Sequence, residues 1–413
     1  MFKPEIVTAL VAQEGVHDTT MWSCCLLQVP AGWMADRFGG KLLNGGGILL
    51  SSVVSLLTPT AARIHIGVLM ALNFLAGLGE GAMRPSNHAL IAKWCAPQHR
   101  SLVATAIIIG SSAGVTGGTF LAGVLCEYGF AGGWPCVFYV FGIVGCFWSG
   151  LWFLLCYDSP NSHPRISADE RKYWETTIGT TDLQFQPPTP WREILTSVPV
   201  WVLAVAFFAD TWGFYTLMTC LPLYMHDVLG VNTAKNGAFS ALPFAAALII
   251  GLVTGWFADW LRSRLSTTVV RKLICLVSFT MISCFLIIAG YIGCDRALAV
   301  AVMCTIASGS AAGFSVVGVN QLDLAPLHAG KIMGLTYTVA NFGSIAAPSA
   351  VGALTYRHST RSEWRNVFFL VAAIYFVGMI VFLVFGSGER QSWANDDSRD
   401  ELGAVRDRKN NNQ

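Results

Sequence analysis

The chain has 413 residues and a formal net charge of +2; 54% of its residues are hydrophobic and only 12% are charged. Soluble proteins carry about 25% charged residues, so most of this surface meets something other than water, in keeping with a mean hydropathy of +0.55. That excludes an ordinary soluble enzyme, a disordered protein and a nucleic-acid binder, which needs a basic footprint.

A helix needs about 20 apolar residues to cross the hydrocarbon core. In chain order, eleven stretches qualify: 16–35, 42–61, 64–94, 102–128, 134–157, 200–224, 236–260, 273–292, 298–319, 332–356 and 367–385. The first is the weakest, since it carries His17, Asp18, Gln28 and Pro30. Glycine is frequent within the spans, as expected where helices approach closely in lipid, and Gly110, Gly114 and Gly118 make one candidate packing ridge. Most cysteines stand singly in apolar runs and read as small buried hydrophobes; Cys126 and Cys136 flank a short loop and are the one candidate pair. No residues show metal-ligand spacing, and no cofactor is expected. Alternate loops on one side hold thirteen basic residues, among them Arg37, Lys41, Arg192, Arg262 and Arg271, against six on the other. Basic loops stay cytoplasmic, which orients the chain.

The expected organisation is an all-α polytopic membrane protein in two halves. A non-cytoplasmic N-terminal segment (1–15) leads into a five-helix bundle (16–157). A polar cytoplasmic linker (158–199) joins it to a six-helix bundle (200–386), and a disordered cytoplasmic tail (387–413) follows. The halves echo each other. Gly32-Trp-Met-Ala-Asp36 recurs as Gly255-Trp-Phe-Ala-Asp259, 223 residues on; Ala96-Pro97-x-His99 recurs as Ala325-Pro326-x-His328, 229 on; Trp134-x-x-Val137-Phe138 recurs as Trp364-x-x-Val367-Phe368, 230 on. Duplicated bundles of this kind are the architecture of many secondary transporters, with the substrate site between the halves. Six helices against five predict one more helix ahead of Val16, which residues 1–15 are too short and polar to supply.

An ionisable group inside a span is costly unless paired or hydrated. The third span has three, Glu80, Arg84 and His88, four residues apart and therefore on one helix face. They suit a charge relay in which Arg84 holds an anion and Glu80 takes a proton while Arg84 is occupied, pairing with Arg84 when it is not. A static ion pair that seats the helix is the structural alternative. Gly110-Ser-Ser112-Ala-Gly114 fits the pattern of a hydrolase nucleophile elbow, but that motif needs a strand, a turn and a helix, and here it lies within an apolar helix. The chain is not expected to be an enzyme.

Gly32-x-x-Ala-Asp36-Arg37-x-Gly39-x-Lys41 resembles the loop signature of the major facilitator superfamily. Gln28-Val-Pro30, Gly77-x-Gly-Glu80-Gly, Trp134-Pro-x-Val-Phe-Tyr139, Asp158-Ser-Pro160, Phe214-Tyr-Thr-Leu217, Asn320-x-x-Asp323-Leu-Ala-Pro326, Tyr291-Ile-Gly-Cys-Asp295 and Gly388-Glu-x-Gln-x-Trp-Ala394 narrow the resemblance to its anion–cation symporter family, which includes sialin and the vesicular glutamate transporters. The resemblance implies twelve helices, with the spans at 64–94, 200–224 and 298–319 lining a central cavity, and alternating access for an anion. Glu80 and His88 fall on that family's acid and histidine. The family's arginine seven residues before the glutamate is Asn73 here, and Arg84 has no usual counterpart. His17 falls on a histidine of the glutamate transporters. Asp210 stands where those carry an arginine; it is a candidate second proton site or partner of a cation. Family position places Tyr215 near the cavity. Asn320 and Asp323 close the tenth family helix, Asp323 as a cap or gate. Asp36, Arg37 and Lys41, with Asp259 and Arg262 in the second copy, are expected to form gate ion pairs that lock the halves in one state and release in the other.

The leading expectation is a proton-coupled carrier of an organic anion, an acidic sugar of the sialic-acid kind or an acidic amino acid. A sodium- or potential-driven carrier of phosphate or another anion is the alternative of the same fold. A non-transporting truncated relative is the alternative of another class. The partners expected are a small-molecule anion and the lipid bilayer, with no nucleic acid, and the chain is expected to be a monomer. Lysosomal, vesicular and plasma membranes stay open.

Overall fold

The computed structural model describes residues 4–95, 100–130, 133–167, 169–170, 189–227, 233–292, 295–325, 328–355 and 361–394, with the side chains of 4–18, 36, 92–93, 100–102, 104–105, 108–109, 112, 161, 219–240, 296 and 316 outside the description. The first half holds α1 (Pro4–Phe38), α2 (Gly40–Ile64), α3 (Ile66–Trp94), α4 (Arg100–Tyr128) and α5 (Trp134–Leu155). A short α6 (Trp191–Thr196) precedes the second half: α7 (Val198–Asp227), α8 (Thr233–Arg262), α9 (Thr267–Ala289), α10 (Arg296–Val317), the short α11 (Asn320–Leu324), α12 (Ala329–Thr355) and α13 (Arg361–Phe385). Each of the eleven spans read from sequence falls on one long helix. Among the described residues there is no strand, as lipid demands of a chain that must satisfy its backbone internally without a closed barrel. By length and composition eight of these helices can cross a membrane: α2, α3, α5, α7, α8, α9, α10 with α11, and α13. The chain is an integral multi-pass membrane protein.

Outer faces are apolar where a soluble protein would be polar. On α5, Ile143, Phe147 and Leu154 are 61%, 69% and 72% exposed and share one side of the helix, a stripe that only lipid can cover. Helix ends are capped by the chain itself. Asp295 accepts from the backbone N–H groups of Ala297 and Leu298 at the start of α10, and Ser266 accepts from Val269 at the start of α9. Between α1 and α2 the chain turns at Gly39, whose φ of 93° suits glycine alone. The Asp158 carboxylate then accepts from the Lys41 N–H at 2.8 Å and caps α2, so the first residue of the linker is tied to the α1–α2 turn.

Neighbouring helices obey the repeat. In the first half α1 and α2 pack on α3, and α2 on α5; in the second, α8 and α9 pack on α10, and α9 on α13. Between the halves α1 packs on α12 and α4 on α8. The sequence repeat pairs α1 with α8 and α4 with α12, so one pseudo-twofold exchanges these two contacts. The α1–α12 seam runs antiparallel. Trp22 meets Phe342 edge-on at 5.6 Å, Thr338 Oγ1 donates to Gln28 Oε1 at 3.4 Å, and a Cβ on Gly32 would lie 4.0 Å from the Gly330 carbonyl oxygen.

Several details depart from expectation. Helix α1 starts at Pro4, so 4–15 continues the helix; proline suits the first helical position, and none follows until Pro30. The Gly110–Gly114 ridge faces open space, with nothing within 4 Å of a Cβ at either position. Cys126 and Cys136 are both free. The tail does not leave the bundle at residue 387: Gly388 N–H donates to Thr268 Oγ1 at 3.0 Å, Gln391 N–H to the Leu324 carbonyl at 2.9 Å, and Ala394 is buried. Residues 171–188 of the linker and 395–413 of the tail lie outside the described residues. Ser112 sits in the unbroken helix α4, which removes the nucleophile-elbow geometry.

Candidate functional site

Helix α3 carries Glu80, Arg84 and His88, and α1 closes on it from the first half: Cys24 Sγ donates to the Gly77 carbonyl at 3.1 Å. From the second half α12 brings Tyr337 over the α3 face, with the Arg84 Cζ 4.5 Å from the Tyr337 ring centroid. That is cation–π distance, and it joins the halves. Arg84 interacts electrostatically with Tyr337, Tyr215 of α7, Cys24 and Glu80. Both Glu80 and Arg84 keep a large accessible surface, although α1 and α12 pack against α3. Tyr337 is itself held rigidly, tilted against Phe207 at 4.9 Å and edge-on to Phe314 at 6.5 Å.

Glu80 and Arg84 are one turn apart, about 6 Å along the axis, and they do not form an ion pair in this structure. Among the described residues neither has a carboxylate–cation contact within 4.0 Å; Arg84 leans on Tyr337 instead. His88 lies a further turn along, where its Cβ is 3.8 Å from the position a Cβ on Gly330 would take; its Nδ1 is buried with no hydrogen-bond partner. Tyr215 joins the group through Arg84 and Glu80.

Other sequence candidates lie elsewhere. Asn73 turns back on its own helix, donating to the Leu69 carbonyl at 2.8 Å. Asn320 is buried and donates to the Ser387 carbonyl at 3.0 Å, so it fastens α11 to the chain after α13. Asp210 is buried within the second half, where Ser310 Oγ of α10 donates to its Oδ1 at 2.6 Å and Tyr375 OH of α13 lies 3.4 Å away. The side chains of His17 and Asp36 lie outside the described residues.

The expected gate pairs have a different layout. Arg37 lies over its own helix's Trp33 at 5.3 Å and Phe38 at 5.9 Å, and Lys41 lies over Tyr157 at 4.6 Å. Asp323 receives Arg271 Nε at 3.0 Å and Nη2 at 2.7 Å, both on Oδ2, and Arg262 at 3.6 Å on Oδ1; Arg262 reaches Asp259 at 3.9 Å. All four residues belong to the second half. Among the described residues no ion pair crosses between the halves. Arg271 entered the sequence reading only as one of the basic loop residues; its position at the start of an apolar span was the available signal.

The sequence profile described as Major Facilitator Superfamily matches residues 16–348. Human sialin is 39% identical over 90% of this chain and 74% of its own length. The chain belongs to the major facilitator superfamily, within its anion–cation symporter family. A putative inorganic phosphate cotransporter of Drosophila ananassae is 39% identical over 92% of the chain and 80% of its own length. Vesicular glutamate transporter 3 of Danio rerio is 38% identical over 93% of the chain, which spans 65% of that transporter's length. Membership explains the paired halves and the seams α1–α12 and α4–α8. The superfamily's members are transporters, so the space between the halves is the place to look for a substrate.

Proposed function

We propose that this chain is a secondary active transporter that moves an organic anion together with protons by alternating access. The observation that carries the reading is Arg84: a guanidinium within an apolar helix, set against Tyr337 of the other half, with a large accessible surface and no counter-ion among the described residues. A charge in that position needs a partner, and a guanidinium is suited to bind a carboxylate through two parallel N–H donors. Glu80, one turn away and without an ion-pair partner among the described residues, exchanges a proton in this reading as the anion comes and goes. An acidic sugar or acidic amino acid fits an arginine seat flanked by the aromatic rings of Tyr215 and Tyr337, and sialin and the glutamate transporters are among the relatives.

A sodium- or potential-driven phosphate carrier is the second reading, favoured by the phosphate cotransporter relative. The two separate in proteoliposomes. Under the leading reading, labelled sialic acid or glutamate accumulates under a pH gradient with sodium absent. Phosphate uptake that follows a sodium gradient and ignores pH supports the second. No uptake of any of the three, with no thermal stabilisation by them, overturns both, since a carrier is stabilised by what binds its folded state.

A further inference from the structure

A second buried carboxyl lies outside the site just described. Asp210 sits on α7, 8% exposed, between α10 and α13. Ser310 Oγ donates to its Oδ1 at 2.6 Å, and Tyr375 OH is 3.4 Å from the same oxygen and from the Asp210 carbonyl. Two further titratable groups face it, Cys275 from α9 and Tyr337 from α12. Among the described residues no lysine, arginine or histidine pairs with it. The 229-residue offset of the repeat carries Glu80 to Gly309, next to Ser310, so the two carboxyls occupy matching levels of the two halves.

We propose that Asp210, Ser310 and Tyr375 form a second proton-binding site, in the second half and separate from the site at Glu80 and Arg84. An isolated buried carboxylate is far too costly to persist without a cation, whereas a carboxylic acid satisfied by two hydroxyls is not. A calcium or magnesium ion fits poorly: these take six or more oxygens, and the site offers a carboxyl, two hydroxyls and one carbonyl. Beside it is a cavity of about 20 Å³ lined almost wholly by apolar groups, among them Leu286, Met303, Ile306 and Phe368, with Tyr375 bordering both the cavity and the carboxyl. A buried water needs two to four polar partners, so the two hydroxyls, not a trapped water, satisfy the acid. Gly213 keeps this arrangement open, because a Cβ there would lie 2.3 Å from the Tyr375 hydroxyl. Tyr337 stands between the two sites, its ring against Arg84.

The test is an infrared difference spectrum, acid minus alkaline pH, of the purified full chain in lipid. The expected carboxylic-acid C=O band is lost in Asp210→Asn and kept in Glu80→Gln. Ser310→Ala and Tyr375→Phe keep the band and move its frequency, because the acid loses a hydrogen bond. A spectrum unchanged by Asp210→Asn overturns the proposal. If that variant does not fold, the hydroxyl variants decide: a band that neither of them moves overturns it equally. This spectrum does not depend on transport, so failure of the anion-carrier reading leaves the result interpretable.

Discussion

Arg84 has two roles to separate, holding an anion and seating α3 against α12. Arg84→Ala is expected to raise the half-saturation concentration for the anion at least tenfold, since a hydrogen bond to a charged group contributes about 1.5–3 kcal/mol. Tyr337→Phe, which keeps the ring beneath the guanidinium, is expected to leave that constant within about threefold, because a cation–π contact of about 0.5–2 kcal/mol survives it. An Arg84→Ala protein with unaltered half-saturation returns the arginine to a purely structural role. Glu80→Gln is expected to abolish uptake driven by a pH gradient while leaving exchange of labelled for unlabelled anion, which needs no net proton movement; persistent pH-driven uptake removes Glu80 from coupling. Glu80, Arg84 and His88 were legible in the sequence because charges at four-residue spacing inside an apolar run have few innocent explanations. Tyr337, Ser310 and Tyr375 were not. Each is an ordinary residue of an apolar helix, and its meaning comes only from the helix that folds against it. Asn73 and Asn320, candidates from their place in the third span and at the end of the tenth family helix, donate to the Leu69 and Ser387 carbonyls.

Helices were easier to read than their partners. Hydropathy marks a span without reference to anything else: each of the eleven stretches falls on a helix, and eight of those helices are long and apolar enough to cross a membrane among the described residues. The docked stretch after α13 was invisible because backbone N–H groups, not apolar side chains, fasten it to Thr268 and Leu324. The charges at the end of the second half illustrate the same limit: the sequence supplied Asp259, Arg262 and Asp323 but not the arginine that matters most to them. Arg271 is 4% exposed and makes two hydrogen bonds to Asp323, whereas Arg262 is 31% exposed and lies 3.6 Å from it. Arg271→Ala is therefore expected to destabilise the protein by about 3 kcal/mol, the cost of leaving a largely buried carboxylate without its main partner. Arg262→Ala removes a longer, half-buried contact that leaves Asp323 its Arg271 partner, and is expected to cost about 1 kcal/mol or less. Thermal melting in detergent distinguishes them, and equal losses contradict the ranking. Gly39→Ala is expected to lower stability by about 1–3 kcal/mol through its glycine-only backbone, with an added clash against the Asp158 carboxylate.

The molecule as a whole is two copies of one packing plan, and its function is argued from how the copies can part. The repeat was legible as three short echoes, and the contacts α1–α12 and α4–α8 give it physical content: two seams, exchanged by one pseudo-twofold, that hold the halves together. The seams contain glycine, small polar groups and one aromatic pair, and the ion pairs at the end of the second half stay inside that half. Among the described residues the Arg84–Tyr337 contact joins the halves beside the α1–α12 seam, and that seam is one of close packing. Alternating access requires it to open. Gly32 and Gly330 face each other there, and a Cβ at either position meets nothing closer than 3.8 Å. The double variant Gly32→Cys, Gly330→Cys is expected to form a disulfide on mild oxidation, which itself tests how closely the two backbones approach. The oxidised protein is expected to lose at least tenfold in anion uptake and to recover it on reduction. Each single variant, treated in the same way, should keep its activity. Full uptake by a protein shown to be cross-linked would mean that this seam stays closed throughout the cycle, and the movement that carries the anion would then have to be sought along α4 and α8.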